Sequence, residues 1–326
     1  MSVPDMSAWG ARIETRPLTR RLMGPARLAI GALLCLTPLT AVIVLGWLMR
    51  LMQAEGRRWR EVPAGARPPR AAGLPHWITG AAGDPRLLWR WFGGLIDNIR
   101  LGLAALITLA ASTLPFMLLW LFSWWSGWEN SFNKGYEQAW IGPVIWLAGT
   151  IVSLPLLARL PMALAHQAAE GRKVAFFAGG EVRALIDAAG WRYVLLAAVS
   201  VLVAVAILLL RAAPVFVEAW WPGFTGLDAD GVAAFARRYH LIAGIIAFVA
   251  VLLLRRWAAR LHGRASRVLE QGVRRGAGRM GTLMRHLLLW LIWLALPVLI
   301  VVGQFFHHHW WAWVAHPLIG LPWLPG

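Results

Sequence analysis

The densest group of metal-ligating side chains is His307, His308 and His309, followed by His316. In an extended segment His307 and His309 share a face, and His316 could return to complete a three-imidazole site for zinc, copper or haem iron. No Asp, Glu or Cys stands nearby as a further ligand or to orient a ring. The same imidazoles, set among Trp310, Trp311 and Trp313, equally suit the headgroup layer of a membrane. They remain candidates, and the expectation is that the chain binds no metal or other cofactor.

A second group is cationic. Arg57 and Arg58 end the run Gln53-Ala54-Glu55-Gly56, and Arg172 and Lys173 end the similar run Gln167-Ala168-Ala169-Glu170-Gly171. A weaker third copy places Arg274 and Arg275 after Glu270-Gln271-Gly272-Val273. Downstream, Leu95-Ile96-Asp97 is echoed by Leu185-Ile186-Asp187. The units recur in one orientation, unlike the inverted repeats of many transporters. A basic side chain near an anionic surface contributes about 1 kcal/mol of attraction, so these six residues are candidate ligands for anionic lipid headgroups; the simpler role is a solvated face that sets topology.

Other chemistry is missing from the sequence. There is no glycine-rich nucleotide loop, nucleophile elbow or metalloprotease motif, and no pairing of carboxylates that suggests a cleft. The expectation is a protein that is not an enzyme. Cys35 is the single cysteine, which excludes an intrachain disulfide, and its apolar neighbours point to inert burial.

The elements that must position these residues follow from composition. The 326 residues are 59% hydrophobic and 14% charged, with a mean hydropathy of +0.59, whereas soluble domains carry about 25% charged residues. About 20 apolar residues suffice for a helix to cross the hydrocarbon. Six stretches qualify or nearly do: 28–49, 101–125, 141–157, 193–210, 239–254 and 287–306. Spread over the whole chain, they imply a single membrane domain, residues 1–326, with a basic tail to residue 27 and a His/Trp-rich external tail from 307. The net charge of +17 sits in segments beside these stretches with no nucleic-acid-binding motif, so nucleic acid is not an expected partner.

Loops rich in Arg and Lys stay cytoplasmic. Residues 50–100 hold nine, 159–192 hold five and 255–285 hold nine, whereas the segments between them hold only Lys134, Arg211, Arg237 and Arg238. Stretches two to six therefore alternate, and the C-terminus lies outside. The first stretch has basic residues on both flanks: it either dips in and returns, bending near Thr37, Pro38 and Thr40, or crosses as a sixth segment. Thr19-Arg20-Arg21-Leu22-Met23 has the form of a twin-arginine export signal, but the apolar run after it is too long, and it is expected to be retained. The fold class is all-α: a polytopic helical membrane protein with five transmembrane helices, an N-terminal re-entrant or sixth transmembrane segment, and amphipathic interfacial helices on the cytoplasmic side. Trp120, Trp124, Trp125, Trp128, Trp140, Trp220 and Trp221 are expected in an outer aromatic belt, and Trp59, Trp77, Trp89, Trp91, Trp191 and Trp257 in an inner one.

No ionisable residue falls in the cores of stretches two to six, which argues against an ion-coupled transporter. Thr108, Ser112, Thr113, Thr150, Ser153, Ser200 and Gln304 suit helix packing, with Gln304 the one candidate substrate contact. Pro115, Pro143, Pro155 and Pro297 are expected to kink helices rather than break them.

The run from Leu160 to Val194, LPMALAHQAAEGRKVAFFAGGEVRALIDAAGWRYV, together with Leu36-Thr37-Pro38 and Gly46-Trp47-Leu48-Met49-Arg50, resembles the DUF4013 type of uncharacterised multi-pass bacterial membrane proteins. The resemblance covers about half the chain and implies architecture and bacterial origin, with no activity to carry over. The functional expectation is a non-catalytic accessory or scaffold subunit of the bacterial inner membrane that binds anionic lipid and other membrane proteins, itself included. The alternatives are a permease or lipid-handling protein, and a haem- or metal-binding membrane protein. With the C-terminus outside, a reporter active only in the cytoplasm and fused after Gly326 is expected to be silent; activity there overturns the topology.

Overall fold

The computed structural model describes residues 17–35, 37–63, 66, 73–78, 87–128, 140–272 and 278–303. These form helices and their connections, with no strand among the described residues. The order is α1 (Pro17–Leu34), α2 (Pro38–Glu61), α3 (Leu87–Trp128), α4 (Ile141–Glu170), α5 (Lys173–Phe177), α6 (Gly179–Ala189), α7 (Trp191–Trp220), α8 (Ala229–Glu270) and α9 (Arg279–Gly303). Six of them, α2, α3, α4, α7, α8 and α9, contain segments long and apolar enough to cross a membrane. The protein is an all-α, multi-pass helical membrane protein.

Residues 28–49 divide into two helices, and local chemistry fixes the bend. Thr37 caps α2, its hydroxyl accepting the Thr40 amide, while Pro38 starts the helix where its missing N–H costs nothing. Thr40 Oγ1 donates to the Leu34 carbonyl at the end of α1. Close packing sets the depth. An added Cβ on Gly46 would lie 1.7 Å from the Asn98 carbonyl oxygen, and one on Gly102 would lie 2.0 Å from that of Val42. With α2 and α3 in this register, the bend lies about 6 Å beyond Val42, whereas α3 continues about 39 Å beyond Gly102 to Trp128. The N-terminal pair is therefore a helical hairpin whose bend stops well short of the far end of α3. The length of α2 alone would permit a crossing.

Residues 73–78 lock this hairpin to α3. Trp77 stacks on Trp47 with centroids 4.5 Å apart and planes 8° apart, and its indole N–H donates to the Arg27 carbonyl at 3.0 Å. Trp47 Nε1 donates to Pro75 O at 2.8 Å, and Arg27 donates to Leu74 O. Arg50 Nη1 reaches His76 O, Gly94 O and Asn98 Oδ1, while Asn98 Nδ2 donates to Trp77 O. Arg27 and Arg50 thus flank the same short segment, as expected when both ends of the hairpin lie on one side. Burial and the two guanidinium groups push His76 below the usual imidazole range.

Glycines allow the other close crossings. Gly31 of α1 faces the Phe248 ring of α8, Gly149 of α4 faces Trp120 of α3, and an added Cβ on Gly263 of α8 would lie 2.2 Å from the Gly56 carbonyl oxygen of α2. Small residues at these positions let helices approach within van der Waals range in lipid. α2 ends up the most enclosed of the six, 61% buried over its apolar window.

Two sequence expectations change. The segments read as cytoplasmic loops with interfacial helices are largely continuations of long helices: α4 runs to Glu170, α8 to Glu270, and α3 starts at Leu87 and passes through Gly93-Gly94 unbroken. Among the described residues of these segments, only α5 and α6 are separate short helices. Trp120, Trp77 and Trp59, placed in aromatic belts, are instead buried, Trp120 against Phe116, Trp77 on Trp47 and Trp59 beneath the Arg264 guanidinium. Trp125, Trp140, Trp220 and Trp221 are exposed as a belt requires. α3, α4 and α9 continue through Pro115, Pro155 and Pro297, while Pro143 lies in the first turn of α4.

Replacing Gly46 by alanine is expected to lower stability by about 3 kcal/mol or more, since only backbone atoms meet the added carbon. Gly24, with nothing within 4 Å of an added Cβ, is the control; alanine there is expected to be neutral or slightly stabilising. Thermal unfolding in mild detergent compares the two, and equal midpoints would rule out the α2–α3 register.

Candidate functional site

A cavity of about 1010 Å³ opens between the C-terminal half of α2, the N-terminal half of α3 and the start of α5. Arg50, Arg57, Arg100 and Lys173 line it with a single carboxylate, Asp97. Leu101, Leu103, Ala104 and Ile107 of α3 form its apolar wall. Arg50 is already committed to three carbonyl acceptors by the hairpin lock. Arg57, Arg100 and Lys173 are exposed and take part in no ion pair or side-chain hydrogen bond among the described residues. Gly171, in the left-handed conformation at φ 68°, ends α4 and turns the chain so that Lys173 reaches this cavity. A phosphate or carboxylate at the cations with acyl chains along the α3 wall suits this division of surfaces.

The structure brings together one member of each of the first two basic pairs, Arg57 and Lys173. Arg58 and Arg172 do not line the cavity, and Arg172 instead lies 3.7 Å from Glu170. The parallel between the two runs is one of sequence alone: α2 continues through Gly56 to Glu61, whereas α4 stops at Gly171. Arg274 and Arg275 lie outside the described residues, as do Gln304, His307, His309 and His316.

Beside the cavity, where the ends of α2, α4 and α8 converge with α6, is a polar cluster that the sequence did not reveal. Glu55 is 1% exposed and accepts from Arg260 Nε at 2.6 Å. Near it Arg60 pairs with Glu270, and Arg264 lies 3.9 Å from the centroid of the Trp59 ring. His166 Nδ1 lies 3.2 Å from His262 Nε2, and His166 Nε2 lies 3.0 Å from Glu181 Oε2. Both ring nitrogens of His166 are therefore engaged, which suits a hydrogen-bonded chain tying α4 to α8 and α6 better than a metal site. No group of three His, Cys, Asp or Glu side chains suited to a metal occurs among the described residues.

Two legible signals bear on this cluster. Ala258, Leu261 and Ala265 continue a helical apolar stripe past the arginines that close the fifth stretch, and His166 stands in the alanine-rich end of α4. Each histidine alone reads as a core side chain, and nothing in the sequence pairs them. Within the membrane segments, Thr113 and Ser153 donate to the Leu109 and Thr150 carbonyls of their own helices, and Thr108 meets Gln167 Oε1 at 2.8 Å. These hydroxyls serve helix packing.

Comparison with protein-family models, curated proteins and solved structures finds no match. The DUF4013 resemblance therefore rests on the residues quoted for it.

Replacing Arg260 by alanine removes a guanidinium that donates to a buried carboxylate and is expected to cost about 3 kcal/mol. This is the low end for a broken buried pair, because the Arg260 side chain is 36% exposed and Arg256 also lies near Glu55. The double change Glu55→Leu with Arg260→Leu should return most of the loss. Chemical unfolding in micelles measures both, and an additive double variant would show that the pair is not coupled.

Proposed function

We propose that this chain is a non-catalytic accessory or scaffold subunit of the bacterial inner membrane that holds anionic lipid at its cytoplasmic face and binds neighbouring membrane proteins through its helices. One observation carries the reading: Arg57 and Lys173, more than 100 residues apart in sequence, line one cavity with Arg50 and Arg100 above an apolar wall. A cation set that only directs topology has no need to converge, because loop charge acts through its total. A headgroup site does need convergence. The outward faces of α3 and α4, with Leu103, Ile107, Leu114, Val144, Leu147 and Ile151 exposed, offer apolar surface for lipid or for a partner helix.

Changing Arg57 and Lys173 together to glutamine should weaken binding of anionic lipid at this cavity by about 30-fold, at about 1 kcal/mol per side chain. The wild-type interaction should fade as salt shortens the Debye length. Hydrogen exchange over residues 53–61 and 173–177, in vesicles with and without anionic lipid, reads the effect. The expected result is added protection in anionic vesicles that the double variant loses. Equal protection of wild type and variant in both vesicle types would assign these residues to topology alone.

A further inference from the structure

A second cavity, on the opposite side of α4, has its own chemistry. It measures about 620 Å³, within the roughly 300–1,000 Å³ range of small-molecule sites. It lies between α4, α6 and α9, and its lining is mostly apolar, with Leu283 beside the basic groups as well as Leu287 and Trp290 beyond them. Arg159 of α4, Arg183 of α6 and His286 of α9 mark one end; Pro155, Leu287 and Trp290 continue from it along α4 and α9. α4 and α9 run antiparallel, so Pro155 lies about 6 Å from the level of Arg159, and Trp290 about 6 Å from that of His286, in the same direction. That direction leads from the basic end of α4 toward the apolar centre of the bundle.

The polar end is assembled from groups without competing partners. Arg159 and Arg183 form no ion pair or side-chain hydrogen bond among the described residues. His286 donates Nδ1–H to the Thr282 carbonyl at 2.8 Å, leaving Nε2 as its other polar atom. Glu181, the acidic group in the first turn of α6, is held by His166 and does not line the cavity. The walls are fixed from behind: Arg285, 5% exposed, donates to the Asp187 carbonyl at 3.3 Å and lies 3.7 Å from its carboxylate, tying α9 to the end of α6. An added Cβ on Gly190 would lie 3.4 Å from the same guanidinium, and Gly190 also has φ 63°, so the α6–α7 corner closes around Arg285.

We propose that this groove holds one anionic phospholipid from the bilayer, its phosphate on Arg159 and Arg183 and one acyl chain along Leu287 and Trp290. Two arginines suit a phosphate because each offers a planar fork of donors. The site is separate from the cavity beside α2 and does not depend on it.

The test uses the full-length chain in neutral detergent and phosphatidic acid with brominated acyl chains, which quench nearby indoles. The signal is the quenching lost when Trp290 is replaced by phenylalanine, which isolates one tryptophan from the 22 in the chain. Wild type should show saturable Trp290-dependent quenching. Arg159→Gln with Arg183→Gln should require about 30-fold more lipid, whereas lysine at both positions, which keeps the charge but not the fork, should fall between the two. Arg57→Gln with Lys173→Gln should leave this signal unchanged, which separates the groove from the other cavity. Phosphatidylcholine with the same chains should quench weakly, and excess inorganic phosphate should not displace the lipid. No Trp290-dependent signal, equal quenching by the choline lipid, or no change in the double glutamine variant would overturn the proposal. Displacement by inorganic phosphate would also overturn it, by identifying a site for the free anion.

Discussion

The bend between α1 and α2 leaves the ends of two helices whose backbone groups must be satisfied within the protein. The α1–α2 hairpin meets that constraint, and much of the fold follows from how. At its bend, the Thr37 and Thr40 hydroxyls cap one helix and satisfy the end of the other. At its mouth, residues 73–78 lie across both arms, held by Trp47, Arg50 and Asn98. Arg50 is central because one guanidinium nitrogen serves acceptors from the 73–78 segment and from α3. A neutral side chain there would leave several carbonyls short of a donor.

With the hairpin fixed, α2 packs along both α3 and α8, while α3 packs at least as extensively on α4. The glycines at 46, 56, 102 and 263 sit where α2 meets α3 and α8, so the closest approaches are backbone to backbone. The same helices continue inward, where lipid no longer dictates composition, and there the buried groups become Glu55, His166 and His262. The fold thus has two environments, an apolar region whose hydroxyls bond to their own helix or to a neighbouring one, and a polar region joined by charge pairs and imidazoles. One cavity lies between α2, α3 and the start of α5, the other between α4, α6 and α9.

Apolar length was the most legible feature of the sequence. It placed the membrane segments, and basic flanks on both sides of residues 28–49 raised the hairpin as an alternative. The contacts that hold the hairpin to α3, Gly46 on Asn98 and Gly102 on Val42, depend on register between distant segments and left no local mark. Helix ends were harder to read. Arg255 and Arg256 look like the close of a membrane segment, yet the helix continues to Glu270 because Ala258, Leu261 and Ala265 have α2 and α6 to pack against. Of the candidate lipid ligands, Arg57 and Lys173 meet in space, while Arg50, Arg100, Arg159 and Arg183 carried no mark in sequence beyond their charge. Ion pairs such as Glu55 with Arg260 span some 200 residues, and no local pattern encodes them.

α8 has a mechanical consequence. It is a helix of 42 residues without an internal proline, about 63 Å long. The hairpin grips it at two places: Gly31 seats Phe248, and Gly56 seats Gly263. These supports are about 22 Å apart, so α8 behaves as a beam clamped at two points rather than a rod on a pivot. It cannot rock without carrying the hairpin with it. The part toward Ala229 extends about 28 Å beyond the nearer support, where Tyr239 donates to the Leu210 carbonyl of α7 and Phe235 meets Trp221 and Phe224. A load applied to the turn at residues 221–228 would be shared with α7 through these contacts before it reached the charge pairs at the other end.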